Sequence, residues 1–142
     1  MRPKIVQHCV FVLIYLLVGC GLTQSKPAPV VELSLGQSQI ATRKGEQSLE
    51  IGLRQYDQGL YKRAATMLSQ ALESGLPSAK QIIAHKHLAF IYCTSNKLNL
   101  CRDEFSKALA VDPRFDLAPA EAGHPQWGPV FRNVKSRQPG AS

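Results

Sequence analysis

Residues 59–72 return, in pattern, 37 positions later as residues 96–109. Gly59 lies over Asn96, Ala64 over Cys101, Leu68 over Phe105, Ala71 over Ala108 and Leu72 over Leu109. A unit of this length cannot bury its apolar face alone. It gains a core by stacking on a like neighbour, so the repeat restricts the chain to a short stack of similar units.

Each copy sits in a helical apolar pattern. Leu49, Leu53 and Tyr56 recur at three and four residues, predicting a first helix from about Arg43 to Gln58-Gly59. A second spans Leu60 to about Ser74, burying Ala64, Leu68, Ala71 and Leu72, and Gly75 and Pro77 end it. Ser78 is placed to cap a third helix reaching Thr94, which carries Ile82, Ile83, His87, Phe90 and Ile91. Ser95-Asn96 turns the chain into a fourth, Leu98 to Val111, with Cys101, Phe105, Ala108 and Leu109 on one stripe, and Asp112-Pro113 stops it. The expectation is an all-α fold of two stacked αα-hairpins.

These hairpins resemble the tetratricopeptide repeat family. Ile51-Gly52 with Ala64, and Leu88-Ala89 with Cys101, fit the places where small residues let two helices approach. Gly59 and Asn96 fit the turn that wants a left-handed residue, and Pro113 fits the closing proline. The first copy departs from the pattern with Leu76 before Pro77, the second puts Cys101 where alanine is usual, and neither has the first-helix tryptophan. The resemblance covers residues 43–113, as repeats at about 45–77 and 79–113. It implies a short solenoid whose first helices line a groove for a segment of another protein. By matching positions that groove comprises Leu49, Leu53, Tyr56, Asp57, Lys86 and Phe90. Residues 114–136 are expected to form an extended segment and a capping helix with Trp127, Val130, Phe131 and Val134 at helical spacing, since a short solenoid must cover its open end. Trp127 and Phe131 are the proposed seal, and residues 137–142 are read as a disordered tail.

The chain begins with Arg2 and Lys4 and an apolar run from Val10 to Val18, closed by Gly19-Cys20. The run is too short for a comfortable membrane span and has the order of a secretory signal. Leu17-Val18-Gly19-Cys20 resembles the lipobox of bacterial lipoproteins. That resemblance implies cleavage after residue 19 and acylation of Cys20, the lipid being the only attached group expected and no other cofactor or metal. Gly21, in place of a retention aspartate, implies the outer membrane, with the domain facing the periplasm. Residues 20–42, with Lys26-Pro27-Ala28-Pro29, read as a flexible tether, in which the alternation Val30–Leu35 could pair as an edge strand.

Cys93 and Cys101 remain as an even pair in an oxidising compartment, which favours a disulfide. Two small buried thiols are the alternative. A zinc site drawing on His85 and His87 is disfavoured, because residues two apart point to different sides of a helix.

Loss of residues 1–19 lowers the formal net charge from +7 to +5. The cations are scattered, without the basic block and interleaved aromatics of a nucleic-acid surface. No nucleophile–base pairing, phosphate cradle or metal motif emerges, so an enzyme is not expected. Phe115-Asp116-Leu117 and Gly123-His124-Pro125 resemble accessory lipoproteins of type VI secretion clusters. The functional expectation is therefore an outer-membrane adaptor for protein partners in an envelope machine such as a secretion system. The alternative is a lipoprotein that binds peptidoglycan or regulates a cell-wall enzyme through its basic surface.

Overall fold

The computed structural model describes residues 30–138, and among them all regular structure is helical. The elements are α1 (Val30–Asp57), α2 (Tyr61–Ser74), α3 (Ser78–Thr94), α4 (Leu98–Val111), α5 (Pro119–Ala122) and α6 (Gly128–Lys135). Cys20, expected to carry lipid, and the expected signal segment lie outside the described residues.

The two hairpin turns are built alike. After α1, Leu60 N–H donates to Gln55 O (2.8 Å) and Gly59 N–H to Tyr56 O (2.9 Å); after α3, Lys97 N–H donates to Tyr92 O (2.8 Å) and Asn96 N–H to Cys93 O (3.1 Å). This nested pair satisfies the last carbonyls of a helix and needs one left-handed residue. Gly59 (φ +73°) and Asn96 (φ +57°) supply it. Between the hairpins Gly75 (φ +93°) turns the chain instead.

Close helix approach follows from missing side chains. A Cβ on Gly52 would lie 2.9 Å from Leu68 Cγ, and one on Gly45 would lie 2.6 Å from Gly75 O. The first core gathers Leu49, Leu68, Leu76, Leu88 and Ile91 around Ala64, Ala71 and Ala84. The second gathers Phe90, Phe105, Leu109, Leu117 and Phe131 around the two cysteines, and Tyr56 and Tyr92 pack against both.

Three expectations need correction. Residues 30–42 belong to α1 rather than to a flexible tether or an edge strand. A helix held in place where Gly45 packs can be extended backwards at one hydrogen bond per added residue, and no proline interrupts residues 30–76. Six residues of alternation do not outweigh this, and the extension leaves Ile40 68% exposed. Second, Ser78 is the first helical residue and Pro77 holds the N-cap, with no side-chain capping bond. The Pro77 carbonyl receives the N–H groups of Lys80 and Gln81 (2.8 and 3.0 Å). Third, the segment after Pro113 is interrupted by the short helix α5. Its entry is closed by Ala118 N–H donating to Glu121 Oε2 (3.0 Å), while Glu121 N–H returns a bond to Ala118 O (2.8 Å).

Helix α6 covers the end of the second hairpin. Phe131, 2% exposed, meets Phe105 and Phe115 edge to face at 5.1 and 5.6 Å. Lys135 Nζ donates to Asp116 Oδ2 (2.6 Å), tying α6 to the segment before α5. Arg137 and Gln138 continue into a turn on Val134 O and Lys135 O, and the rest of the expected tail lies outside the described residues.

Candidate functional site

The six groove residues divide. Leu49 (4% exposed) and Phe90 (3%) are core residues rather than groove residues. Leu49 is enclosed by the first core. Phe90 is covered by the chain's own C-terminal segment, for the Trp127 ring stacks on it with centroids 4.3 Å apart and planes at 23°. Lys86 is engaged by the same segment: its Nζ donates to Glu121 Oε1 at 2.6 Å and lies 5.7 Å from the Phe90 ring centroid. The surface expected to receive a partner on the second hairpin is thus occupied from within.

That occupant is held at several points. Trp127 Nε1–H donates to Glu121 O (2.8 Å), and the His124 imidazole lies flat on the indole at 3.2 Å. Arg132 Nη1 donates to Ala122 O (3.1 Å). Gly128 sits so close to the Ala122 carbonyl that any Cβ there would collide with it.

On the first hairpin Leu53 and Tyr56 are half-buried and Asp57 is exposed. Tyr56 meets Tyr61 edge-on at 5.5 Å and His87 at 5.0 Å, and His87 meets Phe90 at 5.9 Å. Burial raises the Tyr56 phenol above its ordinary pKa, with Tyr61, Glu121 and Asp57 adding to the effect. Burial also lowers the His87 imidazole, and Lys86 adds to that, while the bond to Ile83 O and the nearby carboxylates of Glu121 and Asp57 oppose it. His87 Nδ1 lies 2.7 Å from Ile83 O, so Nδ1 carries the proton and Nε2 is the acceptor nitrogen of the neutral ring. At neutral pH this row offers a phenol donor, a neutral imidazole and the Asp57 carboxylate beside apolar ring edges. Such a set can make hydrogen bonds and edge-on aromatic contacts.

Sequence reasoning missed a polar cluster between α3 and α4. Glu104 is 7% exposed and accepts from both sides, His85 Nδ1 at 2.6 Å and Lys107 Nζ at 2.6 Å. Burial pushes the Glu104 carboxyl up, but the hydrogen bonds from His85 and Lys107 outweigh it and hold the pKa below its ordinary value. The signal was in the stripe: Cys101, Glu104, Phe105 and Ala108 share one helical face, so a carboxylate there must find a partner. His85 and His87 do point to different neighbours, one to α4 and the other to α1.

Cys93 Sγ and Cys101 Sγ are bonded, with Cα atoms 5.2 Å apart, and join the end of α3 to the first turn of α4. Both are buried beside Phe105 in the second core. Among the described residues no cluster of three His, Cys, Asp or Glu is placed to hold a metal, and no helix is long and apolar enough to cross a membrane. No family model, curated protein or solved structure matches the chain.

Proposed function

We propose that the chain is a lipoprotein, acylated at Cys20 and held at the bacterial outer membrane, that acts as a protein–protein adaptor for an envelope machine, in the first place a secretion system. The lipobox-like Leu17-Val18-Gly19-Cys20 supports the anchor. The adaptor half is carried by one observation: Leu53, Tyr56 and Asp57 form a partly open row on α1, whose neighbouring surface is already filled by the chain's own tail. Recognition therefore concentrates on the first hairpin. A partner segment would lay apolar side chains against Leu53 and the Tyr56 ring and offer a donor to Asp57.

The experiment has two arms. Metabolic palmitate labelling should mark the wild type and not Cys20→Ser, and retained label with retained membrane association would overturn the anchor. A photo-crosslinking residue at Asp57 should capture subunits of one envelope assembly, and Tyr56→Ala should weaken that capture by about 1–3 kcal/mol, the scale for an interface aromatic. The net positive charge favours a second reading, a cell-wall-binding or wall-enzyme-regulating lipoprotein. Crosslinks to murein or to a wall hydrolase alone would establish that reading in place of the first.

A further inference from the structure

Among the described residues six large apolar side chains stand well exposed, and four of them open the second helix of a hairpin. Leu60 and Tyr61 lead into α2 at 41% and 46% exposure, and Leu98 and Leu100 begin α4 at 42% and 43%. The chain leaves the first turn along α2 (14 residues) and returns along α3 (17 residues) after the reversal at Gly75–Pro77. Both turns therefore lie at one end of the hairpin stack.

The same end is basic. Exposed Lys62 and Arg63 follow Tyr61, and exposed Lys97 and Arg102 flank the two leucines. None of these four forms an ion pair among the described residues, and neither helix has an acidic residue in its first turn. Asp57 and Asp103 are the nearest acids along the chain, so cations outnumber them two to one.

We propose that this end docks on an anionic phospholipid bilayer, with Leu60, Tyr61, Leu98 and Leu100 entering the headgroup region and the four cations meeting lipid phosphates. Two features favour lipid over a protein partner. The apolar side chains stand exposed at the starts of α2 and α4, at one end of the stack, where they can be immersed without a complementary surface. Lys and Arg around them can keep their charged heads at the phosphates while their stems lie against the acyl boundary, and Tyr61 suits the interface for the same reason. The inference does not depend on acylation at Cys20, because an anchor holds a domain near a bilayer without deciding which end faces it.

The test uses the full chain with an environment-sensitive fluorescent amino acid at Asn99, between the two leucines, or at Glu73, at the other end of α2. Each is mixed with phosphatidylcholine vesicles, with or without phosphatidylglycerol, carrying brominated acyl chains. Quenching at Asn99 but not at Glu73, only with phosphatidylglycerol and weakened by salt, is the expected result. The double variant Lys62→Gln, Lys97→Gln should shift the docked-to-free ratio by roughly 30-fold, from about 1 kcal/mol per removed cation. Leu98→Ser with Leu100→Ser should abolish quenching while the helical circular dichroism is kept. Three results would overturn the proposal: equal quenching in both vesicle types, no quenching in either, or a lipid-independent emission shift that grows with protein concentration, which would assign the patch to a second copy. Co-flotation separates the two readings: protein recovered from envelopes that does not float with pure phosphatidylcholine vesicles, yet is quenched at Asn99 with phosphatidylglycerol, would refute the lipid anchor and uphold this inference.

Discussion

Replacing Gly52 by alanine sets two physical effects of similar size against each other. Gly52 lies within α1, where alanine is favoured over glycine by about 0.8–1.0 kcal/mol of helix propensity. The new Cβ would stand 2.9 Å from Leu68 Cγ, 3.0 Å from Cδ2 and 3.2 Å from the Leu68 backbone nitrogen. Leu68 is 0% exposed, so its side chain has nowhere to rotate, and the backbone contact cannot be relieved by any rotamer. Overpacking of this kind costs about 1–3 kcal/mol, so Gly52→Ala should be destabilised by about 1 kcal/mol net. Leu68→Ala alone should cost about 2–5 kcal/mol through its cavity. In the double variant the new methyl occupies part of that cavity and the contacts to Leu68 Cγ and Cδ2 are gone, leaving only the tight approach to the backbone nitrogen, so propensity acts largely unopposed. The two changes should then couple favourably by about 1–2 kcal/mol, above the roughly 0.5 kcal/mol scatter of independent sites. Urea unfolding of the four proteins of the cycle measures this directly. Additivity within that scatter, or stabilisation by Gly52→Ala alone, would refute the close approach of α1 and α2.

Trp127→Ala should lose about 2–3 kcal/mol, less than the 3–5 for a fully buried aromatic because the indole is only partly covered, whereas Trp127→Phe should keep the stack on Phe90 and lose about 1 kcal/mol with the bond to Glu121 O; equal losses in the two would show that the stack contributes nothing. Removing the Cys93–Cys101 bond by paired alanine substitution should lower stability by roughly 2.5 kcal/mol on chain-entropy grounds for so short a loop, read from the urea midpoint. Glu104 has a folded pKa below its ordinary 4.5, so its contribution is present above that value and is lost as pH falls through the folded one; Glu104→Gln should be less stable at neutral pH and show a flatter acid limb in unfolding curves. His87 is shifted the other way for a base: the folded chain takes up its proton only below the ordinary 6.5, so stability should decline as pH drops beneath that value until the folded pKa is passed. His87→Phe should remove this slope, and an unchanged slope would place it elsewhere.

Helices α2 to α4 were legible because their ends are written in residues with special backbone needs. Gly59, Asn96 and Gly75 take positive φ, and Pro77 and Pro113 bar continuation. The repeat at 37 residues located the turns twice over. What the pattern could not show was which apolar residues face a neighbour supplied from far along the chain. Phe90 occupies a groove position by its place in the repeat, and only the arrival of Trp127 makes it core. The extension of α1 was hidden for a different reason: residues 36–40 are exposed and gain little from packing in any state, and the helix packed at Gly45 continues back through them. Glu104 was readable in principle, since its stripe is otherwise apolar, but its partner His85 lies 19 residues away on another helix.

The segment from Glu121 to Trp127 also makes this molecule its own competitor. A ligand approaching Lys86 and Phe90 must displace a peptide covalently attached nearby, whose effective concentration is on the order of millimolar for a short tether. Only a partner binding that surface much more tightly than the tail does would win, while one seeking Leu53, Tyr56 and Asp57 meets no such opponent. Helix α6 has an analogous effect on growth of the stack: lying over Phe105, it occupies the surface on which a further hairpin would pack at that end, and so closes the second hairpin to addition.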